Sequence, residues 1–429
     1  MAARVQRFRA RSGSTRDAVC VIARHLLTIL AAGMLASTAM AQSRPEAMAP
    51  DSPAYAAFVG VSAAEADRAL RLADASVAVT DALRDTWRER LAGIAVEHRP
   101  IWRVVVLLTG DTPVDDEQIP IGDAMLPIVY RTGAAATLAE LRTALATRQA
   151  AIRAALPHPP GMGIDQRSGE LVVIVAQADL DAIGDDALTA RIAAIAGVPV
   201  RLRSIEQPSL DQAGPDQAGA SPAIIAGGRL IGSIPGDPHR YICTAGFAVT
   251  DGIGTAVTTA AHCPDALSRI DPAGREHPLA FVGQWGWGYQ DVQINAGDEP
   301  LVPFFYADTA RSVPRPVLGQ RAAAAMRAGD LVCHRGERTG YSCATVELTD
   351  FAPAGDLCGG ACSPSWITVA GPNCGGGDSG SPVFIGSTAL GLLKGGSYRA
   401  DGSCAFYFYM PIEYLPNGWR LLTAAGPQP

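Results

Sequence analysis

The chain predicts an all-β C-terminal region, residues 223–429, preceded by an α+β domain at about residues 61–205. Beyond residue 223, short apolar runs such as Ala256-Val257-Thr258, Asp291-Val292-Gln293-Ile294 and Phe406-Tyr407-Phe408-Tyr409 are separated by Gly, Pro and Asp. That is the texture of many short strands in a sandwich or barrel. Before it, strand-like and helix-like segments alternate. Of nine cysteines, Cys20 lies near the start and the other eight fall between Cys243 and Cys404, so an oxidising compartment would bridge the C-terminal region alone.

The first 41 residues read as an export signal: Arg4, Arg7, Arg9, Arg11 and Arg16, an apolar run at about 26–35, then Ala39-Met40-Ala41 before Gln42. No later apolar run is long enough to span a bilayer, so the expected product is secreted and soluble, extracellular or periplasmic in transit. Residues 42–60 are rich in Ala, Pro and Ser and read as mobile. From Ala63 to Glu97 the apolar spacing of three and four predicts two amphipathic helices. Ile101 to Leu108 reads as a strand by its β-branched content and Leu126 to Tyr130 as another, followed by a helix from Thr137 to Leu156. Glu170 to Ala176, Asp186 to Ala196 and Val198 to Arg203 read as strand, helix and strand. His98 and His158, beside prolines at element ends, read as surface residues. Residues 206–222 form a linker in which Asp211-Gln212-Ala213-Gly214 repeats as Asp216-Gln217-Ala218-Gly219, a segment too polar to fold and open to cleavage.

A net charge of −7 without a basic stripe gives no support to a nucleic-acid partner. Arg supplies nearly all the positive charge, and Lys394 is the only lysine. No cysteine pairs are spaced as a structural zinc site requires, and neither a metal nor a cofactor is expected.

Two stretches carry chemistry. In Asn373-Cys374-Gly375-Gly376-Gly377-Asp378-Ser379-Gly380-Ser381-Pro382, glycines let successive N–H groups converge beside a serine, the arrangement a nucleophile and its oxyanion donors need. In Thr258-Thr259-Ala260-Ala261-His262-Cys263, a histidine follows a strand between small residues and a cysteine, which suits a base of fixed ring orientation. An ordinary glycine turn and a buried histidine are the plain readings of each alone. An esterase elbow would need Gly-x-Ser-x-Gly, and its last position here is Ser381.

Together, Thr259-Ala260-Ala261-His262-Cys263 and Gly377-Asp378-Ser379-Gly380 resemble the chymotrypsin-like serine peptidases, with the short 117-residue spacing of the bacterial streptogrisin and alpha-lytic protease branch. Ala223-Ile224-Ile225-Ala226-Gly227-Gly228 resembles that branch's mature start, the Cys333 to Cys343 stretch its small disulfide loop, and Gly391 to Gly396 its substrate-binding strand. The resemblance implies a two-barrel β fold and a monomer acting on protein or peptide substrates. It implies a triad of His262, Ser379 and an intervening aspartate. Asp291, opening an alternating strand, is favoured over Asp271, Asp298 and Asp308. It further implies Gly377 and Ser379 as oxyanion donors, Lys394, Gly395 and Gly396 as substrate-binding residues, and the pairs Cys243–Cys263, Cys333–Cys343 and Cys374–Cys404, leaving Cys358 with Cys362.

Two positions depart from the family pattern. Lys394 stands where members usually carry serine, and its ammonium is expected to meet Asp291 or a substrate carbonyl, with a solvent-facing side chain as the plain alternative. His334 stands where an arginine usually meets the aspartate before the serine, so His334 and Arg335 are both candidates for Asp378. Asn373 in place of an aspartate disfavours a basic residue before the cleaved bond, and Phe406 and Tyr407 suggest a neutral one. The reading is a secreted serine endopeptidase whose residues 42–222 form a folding-assisting, inhibitory propeptide. The alternatives are an inactive binding protein on the same scaffold and an active enzyme with a retained N-terminal partner-binding domain.

Overall fold

The computed structural model describes residues 51–205, 209–210, 226–271 and 273–424. The expected signal segment 1–41 and the linker repeat at 211–219 lie outside the described residues.

The N-terminal region is α+β. Helix Ala63–Thr86 opens on a capping box in which Ser62 Oγ accepts from the Glu65 N–H and Glu65 accepts from the Ser62 N–H at 2.9 Å. This satisfies donors that a helix start leaves orphaned, worth about 1 kcal/mol. Thr137 and Glu140 do the same for helix Leu138–Ala154. Ala63–Thr86 is one helix, and the second helix predicted after it is instead strand Leu91–Glu97. Six successive residues of that strand are buried, so both faces are covered and no helical stripe exists to read. It pairs with Arg103–Thr109, beyond which lie Ala124–Ala134 and Glu117–Ile121.

A second sheet joins the two regions of the chain. Its order is Thr349–Ala352, Gly161–Asp165, Glu170–Ala176, Val200–Ile205, so one edge strand comes from the C-terminal region. Gly161 and Gly163 leave room for the buried Phe351 ring, which a Cβ would meet at 3.3 and 3.0 Å.

More of the N-terminal region is anchored than its composition suggests. Within the stretch predicted to be mobile, Ser52–Val59 is a helix and Asp51 before it is fully buried. The Asp51 carboxylate accepts from Arg315 Nη1 at 2.9 Å, Tyr341 Oη at 2.9 Å and the Gly386 N–H at 2.6 Å. These partners lie some 260 to 340 residues away, beyond the reach of local sequence patterning. His98 is half-buried and tied to two other segments: its Nε2–H donates to Gly329 O at 2.8 Å and Nδ1 lies 2.8 Å from Tyr55 Oη. Burial lowers its pKa, which keeps it the neutral bridge this geometry requires. His158 is half exposed beside Asp179.

The C-terminal region is all-β in two units. In the first, Arg240–Thr244, Arg229–Ser233, Ala266–Ile270 and Glu276–Pro278 form one sheet, and Ala280–Trp285, Val292–Ala296, Thr255–Thr259, Ala248–Thr250 and Arg420–Leu421 another. The second is built on Gly340–Thr345, Leu331–Gly336, Pro382–Ile385, Thr388–Tyr398, Cys404–Pro411 and Ile367–Ala370, in that order. Arg420–Leu421 returns from the second unit to pair with Ala248–Thr250 of the first. Four disulfides close within this region: Cys243–Cys263, Cys333–Cys343, Cys358–Cys362 and Cys374–Cys404.

Candidate active site

His262, Asp291 and Ser379 meet between the two β-units. His262 lies in the turn after Thr255–Thr259, held by the Cys243–Cys263 bridge and by Gln284 Nε2 donating to Ala261 O at 2.8 Å. Asp291 immediately precedes Val292–Ala296, whose Val292 and Ile294 are fully buried, so the strand's packing fixes the carboxyl's position. Ser379 precedes Pro382–Ile385 of the other unit. The imidazole bridges them: Nε2 is 2.7 Å from Ser379 Oγ, and Nδ1 is 3.0 Å from Asp291 Oδ2. Nδ1–H donating to the carboxylate leaves Nε2 unprotonated and facing the serine hydroxyl, the tautomer a base needs. Asp271, a rival for the third position, is committed elsewhere, accepting from Arg275 Nε at 2.8 Å and lying 3.0 Å from His277 Nε2.

The loop carrying Ser379 is shaped by two glycines with positive φ, Gly377 at 113° and Gly380 at 86°. A Cβ at Gly380 would lie 2.3 Å from Thr259 Oγ1, so both dihedral and space require glycine there. Thr244 ties this loop to the first unit: its Oγ1 donates to Gly377 O at 2.8 Å and its N–H to Ser379 O at 2.9 Å.

Asp378 is fully buried, and neither expected side chain pairs with it. Its carboxylate accepts the N–H groups of Arg338 and Thr339 at 2.9 and 3.1 Å and Thr339 Oγ1–H at 2.6 Å. Burial pushes its pKa up to about 6, and these three donors only partly oppose the rise. Arg335 is turned away, donating to Glu337 at 2.9 Å and to Thr309 O at 3.1 Å. His334 reaches Asp378 only through Thr339, its Nε2 being 3.4 Å from Thr339 Oγ1, and it packs edge-on to Tyr407. Burial, then the nearby Arg335, brings its pKa down to about 3, so it is neutral and no cation for Asp378.

Lys394 is buried, and its Nζ lies 3.4 Å from Asp291 Oδ1 and 5.1 Å from the Trp366 ring centroid. Of the two expected partners, the one present is the Asp291 carboxylate. It occupies an irregularity in Thr388–Tyr398: Leu393 pairs with Tyr409 and Gly395 with Phe408, and a bulge of this kind re-aims the extra residue's side chain. Burial opposes ionisation of Asp291, but Lys394 and His262 outweigh it and hold the carboxyl below its ordinary value.

Gly395 and Gly396 pair antiparallel with Leu210 and Ser209 of the N-terminal side of the chain. A Cβ at Gly396 would meet Cys374 Sγ at 2.6 Å, so packing as well as strand approach calls for glycine. The Phe406 ring packs against Phe351 and the Arg203 guanidinium, while Tyr407 packs on His334. Sequence reasoning missed Trp366, Thr339 and the Arg338 N–H. No motif marks them: Trp366 acts by packing, Arg338 through its backbone N–H, and Thr339 through its N–H and hydroxyl together. Among the described residues, no three His, Cys, Asp or Glu side chains gather as metal ligands would.

No protein-family model matches the chain. It is similar to streptogrisin-C of Streptomyces griseus, 28% identical over 219 residues, which cover 47% of this chain and 44% of the relative, so it spans less than half that relative's length. Among solved structures, Thermobifida fusca protease A is 23% identical with a TM-score of 0.37, covering 47% of this chain and 99% of its own. Nocardiopsis protease (NAPase) is 22% identical with a TM-score of 0.37 over the same shares of the two chains. By its motifs and its likeness to streptogrisin-C, the chain is similar to the chymotrypsin-like serine proteases of the streptogrisin and alpha-lytic protease branch.

Proposed function

We propose that the chain is a secreted serine endopeptidase made as a precursor, with residues 1–41 as signal, 42–222 as propeptide and 223–429 as the enzyme. The observation that carries the reading is the imidazole of His262, 2.7 Å from Ser379 Oγ on one side and 3.0 Å from Asp291 Oδ2 on the other. In this reading Ser379 Oγ attacks the peptide carbonyl as His262 Nε2 takes its proton. Asp291 orients the ring and stabilises the imidazolium. The N–H groups of Gly377 and Ser379 receive the oxyanion, each such donor being worth about 3–4 kcal/mol in the transition state. His262 then protonates the leaving amine, and water, activated by the same base, releases the acyl group from Ser379.

The propeptide part of the reading is supported by Ser209–Leu210 lying along Gly395 and Gly396 as a substrate backbone would. A fluorophosphonate probe tests the enzyme: the secreted wild type should label and Ser379→Ala should not. Absence of labelling in the wild type would favour an inactive binding protein. The buried contacts of Asp51 also suit an N-terminal domain that stays in place. N-terminal sequencing of the active secreted form separates the two: a start near residue 223 supports removal, and a start at Gln42 with full activity supports retention.

A further inference from the structure

Lys394 is the only lysine among 429 residues, and its ammonium is buried beside the candidate triad. A buried cation is stable only when paired. The carboxylate of Asp291 at 3.4 Å is its ion-pair partner, and the face of Trp366 covers it. We propose that Lys394 is a positioning residue of the catalytic site, which clamps the Asp291 carboxylate toward His262 and keeps the His262–Ser379 pair reactive at lower pH than a neutral residue would. This rests on the reading that Ser379 is the nucleophile.

The clamp is geometric first. Oδ2 of Asp291 takes the closer contact with His262 Nδ1, while Oδ1 faces Lys394, so donors on two sides fix the carboxylate plane. Val292–Ala296 holds Asp291 by its backbone, whose N–H points at Met410 Sδ, 3.3 Å away. The re-aimed position in Thr388–Tyr398 brings the ammonium in from the other β-unit, so the ion pair also ties the two units together at the triad.

The charge balance follows. The groups bearing on Asp291 are Lys394 and His262, with Trp366 the neutral neighbour of Nζ. A lone aspartate beside the imidazole would favour its protonated form, which cannot accept the serine proton. With Lys394 present, carboxylate and ammonium cancel, and a proton taken up by His262 from solvent adds a second positive charge in a buried site. Removing the ammonium should therefore move the acid limb of the labelling rate toward higher pH.

The test is the rate of fluorophosphonate labelling between pH 4 and 9 for wild type, Lys394→Met and Lys394→Arg, with kcat and KM on a peptide substrate. The midpoint of the acid limb should move up by about one pH unit in Lys394→Met and stay near wild type in Lys394→Arg. Labelling by the Met variant should fall about fivefold at the wild-type midpoint, with KM little changed. A soluble Met variant with an unmoved midpoint overturns the inference while the peptidase reading stands. A wild type that never labels removes both. Should Lys394→Met not fold, the wild type still decides: 13C-lysine labelling yields one lysine Cε resonance. That signal should move across the acid-limb midpoint and again when Ser379 is phosphonylated, and a signal indifferent to both overturns the inference.

Discussion

Replacing Asp378 by Asn removes a buried negative charge while keeping its volume and the Oδ1 acceptor that receives the Arg338 and Thr339 N–H groups. The folded carboxyl has a pKa of about 6 against an ordinary value of 3.8. Because the folded value is the higher one, the stability this residue contributes is fully present below about pH 3.8 and is lost as pH rises through about 6. The difference corresponds to about 3 kcal/mol, at 1.36 kcal/mol per pH unit. The assay is urea unfolding of the full-length Ser379→Ala chain, with and without Asp378→Asn, from pH 3.5 to 8. All other titrating groups are common to both chains, so the difference between the two curves isolates Asp378. The Asn chain should gain about 3 kcal/mol on its parent as pH rises from about 4 to about 7. Parallel curves would refute the claim that burial raises this carboxyl.

Three further perturbations probe the same framework. Thr339→Val keeps the side chain's shape and removes the hydroxyl that donates to Asp378 at 2.6 Å. A hydrogen bond to a charged group is worth about 1.5–3 kcal/mol, so the Ser379→Ala chain should lose about that much stability in urea unfolding at pH 8, and an unchanged stability would mean that the hydroxyl does not hold the Asp378 carboxylate. Asp51→Ala strips the partner from buried Arg315, at about 3–5 kcal/mol, and limited proteolysis of the Ser379→Ala chain should then release the N-terminal region sooner. Phe351→Ala empties the junction against Gly161 and Gly163, with a loss of about 3–5 kcal/mol in urea unfolding, whereas a loss under about 1 kcal/mol would mean the shared sheet carries little of the docking.

What was legible in the sequence follows from how local each determinant is. The glycine-framed serine and the alanine-flanked histidine are contiguous signatures, since the φ of Gly380 and the tight seat of His262 constrain their immediate neighbours. Asp291 could be singled out because an alternating strand follows it. Leu91–Glu97 reads as helix because a strand buried on both faces has no period-two pattern to distinguish it from a helix's apolar turns. Asp378 was assigned a side-chain partner because side chains are what a sequence displays. Its donors are mostly backbone N–H groups, whose direction depends on the turn at Arg338 and Thr339.

Asp291 and Asp378 are both buried carboxylates beside the triad serine and histidine, yet they are stabilised by opposite means. Asp291 has a full cation 3.4 Å away and sits below its ordinary pKa; Asp378 is held directly by N–H and hydroxyl donors, with no ion-pair contact, and sits about two pH units above it. The arginine that the family pattern places near Asp378 is missing from that position, and a lysine that the pattern lacks faces Asp291. The positive charge has in effect changed sides within the site. A compensating pair of substitutions tests this directly: Lys394→Ser with His334→Arg restores the family arrangement. If charge placement alone governs the acid limb, the double variant should keep the raised midpoint of a Lys394 replacement, because the new guanidinium serves Asp378 and not Asp291. A midpoint returned to the wild-type value would mean that the site responds to its total charge, and the assignment of Lys394 to Asp291 would have to be abandoned.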